Sequence, residues 1–237
     1  MHLLLGEAYV RAHAYDRADA ELTHAIVGTT NMRPGIDYGR LFNDPGWEPA
    51  RVHAEAYALQ AFAYAERGVS LNDRAREAVR RGRGALESVR VNRHVAEAAL
   101  DGAAGLIDLK DDKTPLDTAI KHFRNSLARV PASETYVLLA RAYLLKIDEE
   151  RAHAARWIRR GEDACRCAIE LDVTERYSAQ AKALRVEFAA AKERSTTVRP
   201  VVDAPTFVDD LQKGVALAAD GRRKTDGVGG IPVRPEA

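Results

Sequence analysis

A chain of 237 residues with 36 Lys and Arg against 35 Asp and Glu has a formal charge of +1, so it has no long-range pull toward nucleic acid or an anionic membrane. Its composition is 46% hydrophobic but only 6% aromatic, most of it Ala, Leu and Val, which favours helix over sheet. No apolar run approaches the roughly 20 residues that span a bilayer, and Met1-His2-Leu3-Leu4-Leu5 has no basic lead before Glu7 and Arg11 interrupt it, unlike a signal peptide; the expected location is cytoplasmic.

Along the chain, helical segments alternate with turn signals. Leu5-Gly6 precedes Tyr9, and after Asp16, a candidate N-cap, comes Ala18-x3-Leu22-x2-Ala25-Ile26. A turn-rich insertion at about 30–50 follows, containing Asn31 to Gly35 and Asp44 to Pro49. The next helix carries Tyr57, Ala61 and Tyr64; its successor carries Ala78-x3-Gly82-x2-Ala85-Leu86, with a second register through Ala75 and Val79. Asn92 could cap a helix from about Val95 to Lys110 that has no Tyr signature. Thr114-Pro115-Leu116-Asp117 predicts a start with Thr114 as N-cap and Pro115 first in the helix, leading into Ala119-x3-Phe123-x2-Ser126-Leu127. Ser133 then precedes Tyr136, Leu139-Ala140 and Tyr143, and the following helix holds Gly161-x3-Cys165-x2-Ala168-Ile169. Cys165 and Cys167 are two apart on a helix and point away from each other, so they should stay reduced.

After Thr174, another candidate cap, residues 174–193 place Tyr177, Ala181, Leu184, Phe188 and Ala191 on one stripe. No partner helix follows it. Residues 194–205 read as a linker, 206–219 as a short amphipathic helix, and the Gly-rich end as a mobile tail.

Small residues at fixed spacing let paired helices approach closely, and aromatics fill the space between pairs. Four such pairs over residues 1–193 resemble the tetratricopeptide repeat family, although the insertions depart from its period of about 34 residues. The resemblance implies an all-α, TPR-like superhelical solenoid of helix-turn-helix repeats with a terminal capping helix. It also implies a concave groove lined by the first helix of each pair: Leu3, Glu7 and Val10, then Ala58, Phe62 and Ala65, then Val137, Arg141 and Leu144. The implied ligand is another protein, held as a peptide or amphipathic helix, because the Lys and Asn clamp that some relatives use on acidic C-termini is absent. A sensor module working with a separate DNA-binding or signalling effector is the alternative. The first pair has no visible cap, which leaves self-association open there.

Catalytic patterns are missing. Asp111-Asp112 and Glu149-Glu150 lie beside Lys at helix junctions and read as solvated turns. The seven His are scattered without a His-x3-His or His-Glu-x2-His pair, and the Gly-rich runs lack a phosphate loop's Gly-Lys-Ser/Thr. No enzyme activity, metal or cofactor is expected. Arg76, Arg80 and Arg83 share a helix face and are the one candidate phosphate patch; Asp73, Glu77 and Glu87 intersperse the run and no stacking aromatic accompanies it, so nucleic acid is not the expected partner.

Overall fold

A computed structural model describes residues 1–32, 36, 40 and 47–197. The chain divides into units 1–197 and 198–237; the second, with the predicted helix at 206–219 and the tail, lies outside the described residues, as does most of the 30–50 insertion.

The described residues form nine α-helices and no strand: α1 (His2–Arg11), α2 (Tyr15–Thr30), α3 (Pro49–Arg67), α4 (Asn72–Leu86), α5 (Arg93–Lys110), α6 (Leu116–Arg129), α7 (Ser133–Glu149), α8 (Ala154–Leu171) and α9 (Arg176–Thr197). The protein is all-α over this range. Each helix packs on the next along the chain, and the odd-numbered helices also meet the next odd-numbered one: α1 with α3, α3 with α5, α5 with α7 and α7 with α9. The connections are short except that from α2 to α3, and short connections favour antiparallel neighbours.

The spaced small residues form the seams between helices. Ala18, Leu22 and Ala25 are buried, as are Ala78 and Gly82, Ala119, Phe123 and Ser126, and Gly161, Cys165 and Ala168. A Cβ placed on Gly6 would sit 2.6 Å from Leu22 Cδ2, and one on Gly105 would sit 2.6 Å from Phe123 Cε1. The same small-against-large contact therefore recurs at equivalent places in the first and third pairs. In the second pair the roles are reversed: Gly82 occupies the large position, and Leu100 from α5 fills the space. Ala75 and Val79 are buried as well, so both registers on α4 contribute to one wide apolar face. On α9, Ala181, Leu184, Phe188 and Ala191 are all buried, and the Phe188 ring lies against Gly161.

Asp16, Thr114 and Thr174 do not cap their helices; Asp16 lies in the first turn of α2, whose N-cap is Ala14. Thr114 does not cap α6; its hydroxyl and the Lys113 amide donate to Asp111, and the helix begins at Leu116 after an extended Pro115. Thr174 does not cap α9, because the Asp172 carboxylate accepts the Tyr177 and Ser178 amides at 2.6 and 2.7 Å. At α9 the charged carboxylate, two residues upstream of the hydroxyl, takes the second and third amides of the helix, as the stronger acceptor does, whereas Asp111 organises the turn that precedes α6. Asn92 stands at the N-cap position of α5 but makes no side-chain capping hydrogen bond; it sits in the left-handed region at φ 53°, which Asn tolerates.

The acidic pair Glu149-Glu150 is organised around a buried cation. Lys146 is 5% exposed, and its ammonium donates to Asp117 at 2.9 Å, Glu149 at 3.1 Å and Glu150 at 2.9 Å. Burial alone would lower the Lys146 pKa, but the three carboxylates outweigh it and hold the ammonium above its ordinary range. Lys146 in turn holds the Glu150 carboxyl below its usual range. Lys146→Met should cost about 2 kcal/mol, less than the roughly 3–5 of a fully buried pair because these carboxylates touch water. Glu150's depressed pKa means its contribution is present above the ordinary carboxylate pKa and is lost as pH falls through the lower folded value. Denaturant titrations at pH 7 and near pH 3 check this: the variant should lose less stability on acidification than the wild type.

Candidate functional site

A cleft of about 240 Å³ opens where α1, α3, α5 and α7 converge. Glu7, Val10 and Arg11 come from α1, Ala58, Leu59 and Phe62 from α3, and Val95, Ala98, Ala99, Gly102 and Ala103 from α5. Glu134, Thr135 and Leu138 enter from α7, with Ser126, Val130 and Ala132 from the end of α6 and the link that follows. Its walls are mostly apolar; the polar exceptions are the charged Glu7, Arg11 and Glu134 and the hydroxyl residues Ser126 and Thr135.

Local sequence explains the opening. Val95, Ala98, Ala99, Gly102 and Ala103 recur at helical spacing on α5, so one face has almost no side-chain bulk. Ser126 Oγ donates to the Ala98 carbonyl at 2.7 Å, which draws α6 onto that thin face, and a Cβ on Gly102 would meet Ser126 Oγ only at 3.5 Å. Space remains above it.

The charged residues are tied together. Arg11 pairs with Glu7 along α1, and burial pushes the Glu134 carboxyl up, against the Tyr177 hydroxyl that donates to it and the nearby Arg176 and Arg11. Arg176 Nη2 reaches His13 Nε2 at 3.3 Å, so the turn after α1 touches the start of α9, 163 residues away.

Of the predicted groove residues, Glu7, Val10, Ala58 and Phe62 line this cleft. The others do not. Ala65 and Val137 are 0% and 2% exposed inside the main core, Leu144 packs half-buried against that core, and Arg141 donates to Gln180 of α9 at 3.1 Å. Leu3 lines a separate cavity near the start of α1. On α7 the cleft uses Glu134, Thr135 and Leu138 instead, a shift of phase around the helix. The whole α5 contribution was missed, and its signal was the run of small residues from Ala98 to Ala103.

Arg76, Arg80 and Arg83 do meet in one cavity of about 280 Å³, together with His122 and Asp108. Each already faces a carboxylate: Arg76 pairs with Asp111 at 2.7 Å and Asp108 at 3.3 Å, Arg80 grips Glu77 through two nitrogens at 2.7 Å, and Arg83 lies 3.5 Å from Asp101. A phosphate would have to displace these partners. Burial raises Asp108, with His122 and Arg76 opposing it, and a buried carboxylate beside the cavity adds repulsion toward any anion.

The Cys165 thiol is fully buried, and burial pushes its pKa up to about 11, which makes it unreactive. No described helix is long and apolar enough to cross a membrane. The histidines are less scattered than their sequence positions imply: His2, on α1, meets Glu21 and His24, on α2.

No family model matches the chain, and neither a curated protein nor a solved structure matches it.

Proposed function

We propose that the protein is a non-catalytic scaffold of the tetratricopeptide-like kind, which holds a helical segment of a partner protein over the cleft between α1, α3, α5 and α7. The observation that carries this reading is that one cleft draws most of its walls from the odd-numbered helices, with only the end of α6 and its link added, and the odd-numbered helices are the set that would line the inner surface of a stacked array of pairs. At about 240 Å³ the cleft is smaller than the roughly 300–1,000 Å³ typical of small-molecule sites. It suits one or two apolar side chains of a partner helix, seated on Ala58, Phe62, Ala99 and Leu138, with Glu7, Arg11 and Glu134 at hand for polar residues at its rim.

The test is a display selection of amphipathic-helix peptides on the full chain, with affinities then measured on Ala99→Phe, which fills the cleft from a half-exposed position. Loss of one well-seated anchor costs about 2 kcal/mol or more, so affinity should fall at least about thirtyfold while the far-UV circular dichroism stays unchanged. Peptides that bind wild type and variant alike would refute the assignment.

A further inference from the structure

We infer that His2, Glu21 and His24 form a binding site for a divalent transition-metal ion, zinc being the best match to their chemistry. His2 is the first residue of α1, and Glu21 and His24, three residues apart on α2, share the helix face that meets it. One ligand atom from each of the three residues lies within 4.8 Å of the other two. Two features already hold the residues together: His2 Nδ1 lies 2.6 Å from Glu21 Oε2, and the two imidazoles meet edge-on with their centroids 5.3 Å apart.

A zinc ion bound tetrahedrally at roughly 2.0–2.2 Å from two imidazoles and one carboxylate holds its ligand atoms about 3.4 Å apart, so binding replaces the 2.6 Å His2–Glu21 hydrogen bond by two metal–ligand bonds and draws in atoms that already lie within 4.8 Å of one another. Neutral imidazole with one carboxylate suits zinc, and no thiolate is present to favour softer ions. The single negative charge of Glu21 partly balances the ion. Three protein ligands leave at least one coordination position open. His2 and His24 border a cavity of about 600 Å³ that also touches Glu7, Glu55 and Trp47, so water or a small anion has room to complete the shell. Binding would also clip α1 to α2. The site does not depend on the partner reading of the cleft.

Isothermal titration of the full, untagged chain with zinc chloride tests this, repeated on His24→Ala, Glu21→Gln and the control His94→Ala, which alters an exposed histidine elsewhere. One ion per chain is expected. Disturbing a residue that merely supports a metal ligand typically weakens binding about 10–100-fold, so loss of a ligand at His24 or Glu21 should cost at least about tenfold, and His94→Ala should change nothing. Cobalt substitution should give visible d–d bands that disappear in His24→Ala. Circular dichroism confirms that each variant is folded. A wild type that binds no zinc at one-to-one stoichiometry, or a site that survives both ligand substitutions undiminished, overturns the proposal.

Discussion

Phe123→Ala is expected to destabilise the protein by about 3–5 kcal/mol, the range for removing a fully buried aromatic ring. Phe123 is 0% exposed on α6 and its ring lies against Gly105 of α5. That contact repeats the one Leu22 makes with Gly6, so the substitution empties the seam of a pair at its tightest point. Gly has no side chain with which to refill the space, and the Cβ of Ala would stop short of it, so the neighbours can collapse only by moving whole helices. For a domain of this size the melting temperature should drop on the order of 10 °C. Urea denaturation followed at 222 nm measures the change, and a loss under about 1 kcal/mol would mean that α5 and α6 are not packed through this seam.

The second large effect belongs to Tyr143→Ala, which should cost on the order of 3 kcal/mol. Tyr143 is 5% exposed and stacks on Trp157 of α8, with ring centroids 5.8 Å apart and planes 23° from parallel. Burial raises the Tyr143 phenol, with nearby arginines opposing it, so the ring stays neutral in the folded protein. Removing it deletes buried area and exposes one face of Trp157. Intrinsic Trp fluorescence should therefore shift to the red in the folded variant as well as at unfolding. Tyr143→Phe keeps the ring and should stay within about 1 kcal/mol of wild type, as a near-isosteric swap does. If Tyr143→Ala keeps the wild-type melting temperature, the pairing of α7 with α8 is wrong.

Much of this architecture can be read from spacing alone. The stripe Tyr177, Ala181, Leu184, Phe188 and Ala191 has a single helical phase, and its last four members are buried. The cleft was harder to place, for reasons visible in α7. Val137-Leu138-Leu139-Ala140 is a continuous apolar run whose four residues are all at most 5% exposed, so hydrophobicity assigns it no phase; Leu138 lines the cleft while Val137 lies in the core. Ala65 lies in the core for a related reason: an Ala fits a groove and a tight seam equally well, and only the neighbouring helix decides. α5 carries no aromatic signature, because what it contributes to the cleft is the bulk that Ala98, Ala99, Gly102 and Ala103 lack.

Capping misled differently. Thr114 and Thr174 have the residue type of an N-cap, but Asp172 accepts the α9 amides that Thr174 would have capped, and Asp111 holds the Thr114 hydroxyl itself. The meeting of His2 with Glu21 and His24 was out of reach of any test confined to one helix, because it depends on how α1 lies across α2.

The central claim is that the odd-numbered helices share one partner-binding surface. Hydrogen–deuterium exchange of the full chain, with and without a peptide selected on it, tests this most directly. Slower exchange is expected at 58–62, 95–103 and 134–138 when the peptide is bound, with α2, α4 and α8 unchanged. Protection confined to α4 or α8, or no protection at 95–103, would contradict it.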